Sequence, residues 1–228
     1  MSLTAPGRSA GGALQAILFD MDGLLIDSEP LWYEVESEVM AQLGGQWSAA
    51  DQQELVGGSL DKSLDYLLAR AARPAPRREV GRWMVDGMTA LLRERGVHVM
   101  PGARELLAEV TAARMPNALV TSSERQIMEA VIPKIGMTFG ATVCAEDVRR
   151  SKPAPEPYLR AAELLGVDPA RCIVLEDSPN GVAAAEAAGC LVVAIPSLLP
   201  IPTRAGRVVA SSLGQIDLMT LRGMMGGR

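Results

Sequence analysis

The feature that most constrains this chain is a rhythm of short, continuously apolar runs separated by amphipathic helical patterns. The runs lie at 13–19, 118–120, 172–175, 191–195 and 208–210. Helical spacing fills the gaps at about 103–114, 124–135, 156–165 and 179–188. A strand that is apolar at every position, rather than at alternate ones, is covered on both faces. Such strands alternating with helices predict an α/β chain built on a parallel sheet between two helical layers.

One stretch breaks the rhythm. Residues 30–97 contain no convincing strand, and their apolar residues recur at helical intervals: Val35, Val39, Met40 and Leu43, then Leu60, Leu64, Leu67 and Leu68, then Val80, Trp83, Met84, Met88, Leu91 and Leu92. Helix packing accounts for this Met and Trp stripe without a cofactor. The organisation expected is an α/β core from 13–29 and 98–228, an α-helical cap inserted at 30–97, and a disordered leader at 1–12. That leader has no apolar stretch of its own and does not read as a signal peptide.

Composition removes whole classes of function. With 22 Lys and Arg against 27 Asp and Glu, the net charge is −5, and there are only two Phe, three Tyr and three Trp. A basic groove with stacking platforms for nucleic acid is not expected. The longest apolar stretch, 190–201, is interrupted by Pro196 and Pro200, so no membrane span is expected. A single histidine, His98, rules out multi-histidine metal sites and reads as structural. The three cysteines, Cys144, Cys172 and Cys190, lack CxxC spacing and read as small buried residues in a reducing cytoplasm.

In open parallel sheets, ligands bind beyond the carboxyl ends of the strands. Here those ends carry Asp20-Met-Asp22-Gly23, Thr121-Ser122-Ser123 and Glu176-Asp177-Ser178, and a loop Ser151-Lys152-Pro-Ala-Pro lies between the last two. Each segment alone has a local explanation. Asp22-Gly23 is a turn signal, Ser123 to Gln126 reads as a capping box, and Ser178-Pro179 reads as an N-cap followed by proline at the first helical position. Together the local explanations fail. Carboxylates gathered at one sheet edge repel by about 4 kcal/mol per pair at ~4 Å and an effective dielectric near 20. An oxygen-only cluster matches a hard cation, best Mg²⁺. The same cluster, with a lysine and helix-start donors, suits phosphoryl transfer, in which anionic groups must meet.

These motifs, in this order, resemble the haloacid dehalogenase superfamily, in particular its beta-phosphoglucomutase-like branch of sugar-phosphate phosphatases. The resemblance runs from Ile17 to about Leu218, and it implies a Rossmann-like core with a helical cap after the first motif. It implies Asp20 as the nucleophile, through an aspartyl-phosphate. Asp22 would be the general acid and then base, with its backbone carbonyl reaching the metal. Thr121 would hold the phosphoryl group, beside Gly23, Ser122 and Ser123. Lys152 would neutralise charge and orient Asp20. Mg²⁺ would lie on Asp20, Asp22 and Asp177, with Glu176 at or behind it. Gly23 would permit the turn that aims Asp22, and Ser123 would chiefly cap its helix.

The chain departs from the mutase pattern at the grips for a second phosphate. Trp32 stands where beta-phosphoglucomutases have a histidine, Val56 and Leu60 replace a lysine and an arginine of the cap loop, and Glu124 replaces a lysine. The expectation is therefore a monomeric, cytoplasmic, Mg²⁺-dependent phosphatase acting on a small phosphorylated metabolite, a sugar or polyol phosphate. A sugar phosphomutase is the alternative. Lys62, Arg70 and Arg73 read as solvated charges of the cap, and hinges are expected at 26–30 and 96–101.

Overall fold

The computed structural model describes residues 12–226. The expected leader therefore lies, but for Gly12, outside the described residues. In chain order the elements are β1 (Ala16–Phe19), β2 (Ile26–Asp27), α1 (Glu29–Gln42), α2 (Ala49–Leu55), α3 (Leu60–Arg70), α4 (Arg77–Arg95), β3 (His98–Val99), α5 (Ala103–Ala112), β4 (Asn117–Val120), α6 (Arg125–Ile135), β5 (Ala141–Val143), α7 (Glu156–Leu165), β6 (Cys172–Glu176), α8 (Pro179–Ala187), β7 (Leu191–Ala194), β8 (Arg207–Val209) and α9 (Leu218–Gly226).

Six strands form one parallel sheet in the order β5-β4-β1-β6-β7-β8. β1 is interior, and the chain adds strands first on one side of it and then on the other. That reversal opens a crevice at the carboxyl ends of β1, β4 and β6, where the polar segments lie. Alternation along the strands divides the core into two. Ile17, Phe19, Leu119, Ile173, Leu175 and Val193 face one cluster with Leu106, Leu107, Val110, Ile127 and Val131 of α5 and α6. Ala16, Leu18, Val120, Cys172, Val174 and Val192 face the other, with Tyr158 and Ala161 of α7 and Val182 and Ala185 of α8. Both faces are buried, which is why these strands read as unbroken apolar runs.

The first cluster continues into the helical insert through Met21, Leu24 and Leu25 to Val35, Met40, Leu67, Met84 and Met88. The Met stripe is packing, as expected. The chain leaves the core through β2 and returns through β3, and these two pair antiparallel, Ile26 with Val99 and Asp27 with His98. His98 is exposed in this ribbon. All three cysteines are buried and free.

Two expectations are corrected, and four short elements go unpredicted. The first strand begins at Ala16 rather than at 13. β5 was missed because it has only three residues and follows a glycine, as was α2, whose Ala-Ala-Asp-Gln-Gln-Glu-Leu has one core residue, Leu55. The two-residue strands β2 and β3 carry no periodic signal at all. The capping box at Ser123 is not formed: the N-cap of α6 is Glu124, with no side-chain cap bond.

Candidate active site

The sheet ladders run past the strand ends and set the candidate residues in place. The Asp20 amide donates to Leu175 O at 3.1 Å, the Thr121 amide to Val143 O at 2.9 Å, and the Ile195 amide to Glu176 O at 2.7 Å. Beyond Asp20 the chain folds back tightly, with Gly23 N donating to Ile26 O at 2.8 Å and Leu25 N to Met21 O at 3.0 Å. Gly23 has φ +79°, and a Cβ there would lie 2.1 Å from Asp177 Oδ2. Only glycine allows both the turn and the approach of Asp177.

Lys152 sits at the centre. Its Nζ donates to Asp20 Oδ1 at 2.5 Å, to Glu176 Oε1 at 2.7 Å and to Val120 O at 2.9 Å, which uses all three protons. Burial alone would lower its pKa, but Asp20 and Glu176 outweigh that and raise it, so the ammonium stays charged. Glu176 is fully buried. Oε1 also accepts from the Tyr158 hydroxyl at 2.7 Å. Oε2 accepts from the amides of Asp177 and Ser178 at 3.0 and 3.1 Å and from Ser178 Oγ at 3.1 Å. The acceptor capacity of this carboxylate is thus taken up by the protein. The N-cap expected at Ser178 is present, since its hydroxyl accepts from Gly181 N at 3.1 Å.

Asp22 is held by hydroxyls. Ser28 donates to Oδ1 at 2.7 Å, and Ser123 and Thr121 donate to Oδ2 at 2.8 and 3.2 Å. Ser123 makes no cap bond to α6, and its hydroxyl donates to Asp22. The helix start is satisfied instead by Thr121 Oγ1, which accepts from Ser123 N at 2.9 Å, and by Glu146, whose carboxylate accepts from Arg125 N at 2.9 and 3.1 Å. Ser122 receives a hydrogen bond from Ser151 at 2.9 Å.

Oxygen ligands of Asp20, Glu176 and Asp177 approach within 4.8 Å of one another. Burial, opposed by Lys152 but reinforced by Glu176 and Asp22, pushes the Asp20 carboxyl up to about 8. Asp177 is also raised well above the carboxylate range by burial, Asp20 and Glu176, although Ser197 donates to its Oδ2 at 2.5 Å. Three buried carboxylates against one ammonium leave an excess of negative charge that a hard cation matches. The donor set fits: oxygen ligands only, with no histidine and no cysteine among the three residues of the cluster.

These groups open into a pocket with about 80 Å³ of free space, between the carboxyl edge of the sheet and the helical insert. Asp20, Asp22, Thr121, Ser122, Ser123, Lys152 and Asp177 line its floor; Glu29, Trp32, Glu36, Gln52, Val56 and Leu60 line the insert side, and Glu124 stands at the edge. The positions that depart from the mutase pattern (Trp32, Val56, Leu60 and Glu124) therefore all face the pocket. Lys62, Arg70 and Arg73 do not line it. Lys62 donates to Glu54 O, and Arg70 lies over the Tyr66 ring. Burial raises Glu29 to about 7, helped by Asp22; it raises Glu36 to about 8, helped by Glu29, and Glu124 to about 7.

Sequence reasoning missed Ser28, Tyr158 and Ser197. Ser28 precedes Glu-Pro and looks like an N-cap, but its side chain makes no cap bond. Tyr158 has the look of an ordinary apolar-face residue of α7. Ser197 gave no signal; it reaches Asp177 only because β7 lies beside β6.

The profile of the haloacid dehalogenase-like hydrolases matches residues 17–195. Hexitol phosphatase B of Escherichia coli (strain K12) is 37% identical over 185 residues, covering 80% of this chain and 83% of that protein. A probable pseudouridine-5'-phosphatase of Drosophila melanogaster is 33% identical over 187 residues, 78% of this chain and 80% of its own. Among solved structures, CbbY from Rhodobacter sphaeroides in complex with xylulose-(1,5)bisphosphate superposes with a TM-score of 0.84 at 27% identity, covering 91% of this chain and 99% of that one. The chain belongs to the haloacid dehalogenase-like hydrolases, on the branch that holds phosphate-monoester hydrolases such as the hexitol phosphatases.

Proposed function

We propose that this protein is a Mg²⁺-dependent phosphatase that hydrolyses a sugar or polyol phosphate through an aspartyl-phosphate on Asp20. The observation that carries this reading is the state of Asp20. One carboxylate oxygen is clamped by Lys152 at 2.5 Å, while the other receives no hydrogen bond from the described residues. That free oxygen attacks phosphorus as the bond from phosphorus to the leaving alcohol oxygen breaks. Asp22 gives a proton to the departing oxygen. A water then gives its proton to Asp22 and attacks phosphorus, which frees Asp20 and inorganic phosphate.

Thr121 has one hydroxyl proton, and it is on Asp22 in this structure. Moving it to a phosphoryl oxygen binds the substrate and loosens Asp22 for proton transfer in one event. Asp20, the Asp22 carbonyl and Asp177 would hold Mg²⁺, which when bound supplies positive charge against the phosphoryl oxygens and lets carboxylates face an anion. Glu176, saturated by Lys152, Tyr158 and the start of α8, is a positioning residue behind the metal rather than a ligand. The relationship to the hexitol phosphatases supports the substrate class.

The test is phosphate release from a panel of sugar and polyol phosphates, with Mg²⁺ and with EDTA, by wild type and Asp20→Asn. Metal-dependent release that Asp20→Asn abolishes is expected. Conversion of beta-glucose 1-phosphate to its isomer without release, given a trace of the bisphosphate, would replace hydrolysis by the mutase reading. The same panel assayed in cleared cell fractions would show whether the activity is cytoplasmic.

A further inference from the structure

Each carboxyl of the site has its own support, and that of Asp177 is unlike the rest. Asp20 is clamped by Lys152, Glu176 accepts from Lys152, Tyr158 and the start of α8, and Asp22 is held by Ser28, Thr121 and Ser123. The Asp177 carboxylate accepts one hydrogen bond from the described residues, from Ser197 Oγ to Oδ2 at 2.5 Å. Ser197 lies outside the four sequence motifs and in no helix or strand. It belongs to the loop between β7 and β8 and is exposed, whereas Asp177 is only 5% exposed.

The two oxygens of Asp177 are therefore not equivalent. Oδ2 lies between Gly23 and Ser197: a Cβ on Gly23 would stand 2.1 Å from Oδ2 and 3.1 Å from Ser197 Oγ. Oδ1 receives no hydrogen bond from the described residues and is not sealed from solvent, and Asp177 lines the pocket. The loop that carries Ser197 is tied down on both sides of it. Before it, Ile195 N donates to Glu176 O at 2.7 Å. After it, Ile201 is buried in the second core cluster, and Arg207 Nη1 donates to Pro202 O at 2.8 Å. An exposed hydroxyl is thus held at a fixed place against a buried carboxylate.

We propose that Ser197 is a positioning residue of the metal site: by donating to Oδ2 it stops the Asp177 carboxylate from turning and presents Oδ1 to the cation. The inference rests on the Mg²⁺ reading above and deepens it, by placing a determinant of metal affinity in a loop that the motifs do not reach. The physical reason is preorganisation. A carboxylate free to rotate loses that freedom when it ligates, whereas one already fixed by a hydrogen bond does not. A bond to an ionised acceptor is also among the stronger ones, so an exposed serine suffices as the donor. Asp20 and Glu176 need no such help, because Lys152 fixes both.

The experiment is a calorimetric titration of Mg²⁺ into the full chain, stripped with EDTA and then dialysed, for wild type, Ser197→Ala, Ser197→Thr, Ser197→Val and Asp177→Ala. Ser197→Ala is expected to raise the Mg²⁺ Kd by about tenfold to a hundredfold, the usual cost of losing a residue that orients a metal ligand. Ser197→Thr keeps the hydroxyl and is expected to bind like wild type. Ser197→Val has the shape of the threonine without the donor and is expected to bind like the alanine variant, so the pair separates the hydrogen bond from bulk and still decides the matter should the alanine variant fail to fold. The Tm of each protein in EDTA gives the second readout. A Ser197→Ala protein that loses Tm in EDTA but keeps the wild-type Kd shows a merely structural serine and overturns the inference, as does equal Mg²⁺ binding by the threonine and valine variants. If wild type binds no Mg²⁺, or Asp177→Ala binds it as well as wild type, the metal reading itself falls, and the inference with it.

Discussion

Glu176 organises the candidate site from a fully buried position. It accepts from Lys152, Tyr158, Ser178 and two backbone amides, and it thereby fixes the lysine that clamps Asp20. Two substitutions separate its supports. A Cβ at Gly181 would lie 1.7 Å from Glu176 Oε1, so Gly181→Ala must displace the carboxylate. The expected cost is about 1–3 kcal/mol of stability, read from the denaturation midpoint, with loss of turnover. Tyr158→Phe removes one buried donor and keeps the packing; it is expected to cost about 1–2 kcal/mol and to lower kcat more than it raises KM. Wild-type turnover in either variant would show that Glu176 need not be held as observed. The motif residues were legible because their types and spacing name a chemistry. Tyr158 was not, since nothing in α7 distinguishes a tyrosine that packs from one that donates.

At the scale of elements, the pocket exists because the insert docks on the core. Asn180, in the first turn of α8, donates to Gly57 O at 2.9 Å, and a Cβ on Gly57 would lie 2.8 Å from Ser178 Cβ. Gln126 of α6 bridges to Asp86 and Thr89 of α4 at 3.1 and 3.2 Å. Asn180→Ala removes a docking bond made three residues along the chain from Asp177. The expected result is a KM several times higher, a smaller change in kcat, and faster amide exchange around 55–60; unchanged KM would mean that docking at Gly57 does not shape binding. The paired strands β2 and β3 carry both connections, and they coincide with the expected hinges. Closure about this ribbon should appear as added exchange protection when beryllium fluoride and Mg²⁺ bind. The long cap helices were readable from period 3.6, whereas these two-residue strands become strands only by pairing with each other.

For the molecule as a whole, the buried acids set how stability responds to metal and to pH. A cation that binds the folded state adds about 2.7 kcal/mol at a hundred times its Kd. Mg²⁺ is therefore expected to raise the Tm of EDTA-treated protein, and Asp177→Asn to blunt that rise. The pH dependence has a definite sign. Burial raises Glu36 from 4.5 to about 8, so the folded state holds this proton more tightly than the unfolded one. The stabilisation is complete below the unfolded pKa and is lost as pH climbs through about 8. With EDTA present, Tm should decline between about pH 4.5 and 8 and level off above that, and Glu36→Gln, which cannot ionise, should decline less steeply. Equal slopes would mean that Glu36 does not titrate there.

The class of fold and the residue types of the candidate site were legible in the sequence. Strands buried on both faces must be apolar throughout, and an amphipathic insert must show helical spacing. A phosphoryl-transfer edge needs carboxylates, a lysine and hydroxyls at strand ends. These demands act on residue type and interval, which a sequence displays. Tertiary structure alone decided who partners whom. Ser123 donates to Asp22 at 2.8 Å, a partner 101 positions away that no local pattern names. Ser197 meets Asp177 because β7 lies beside β6, and Glu36 of α1 is buried at the pocket wall only because the insert docks on the core. A hydroxyl or a carboxyl has several possible partners along the chain, and distance in the folded molecule selects one.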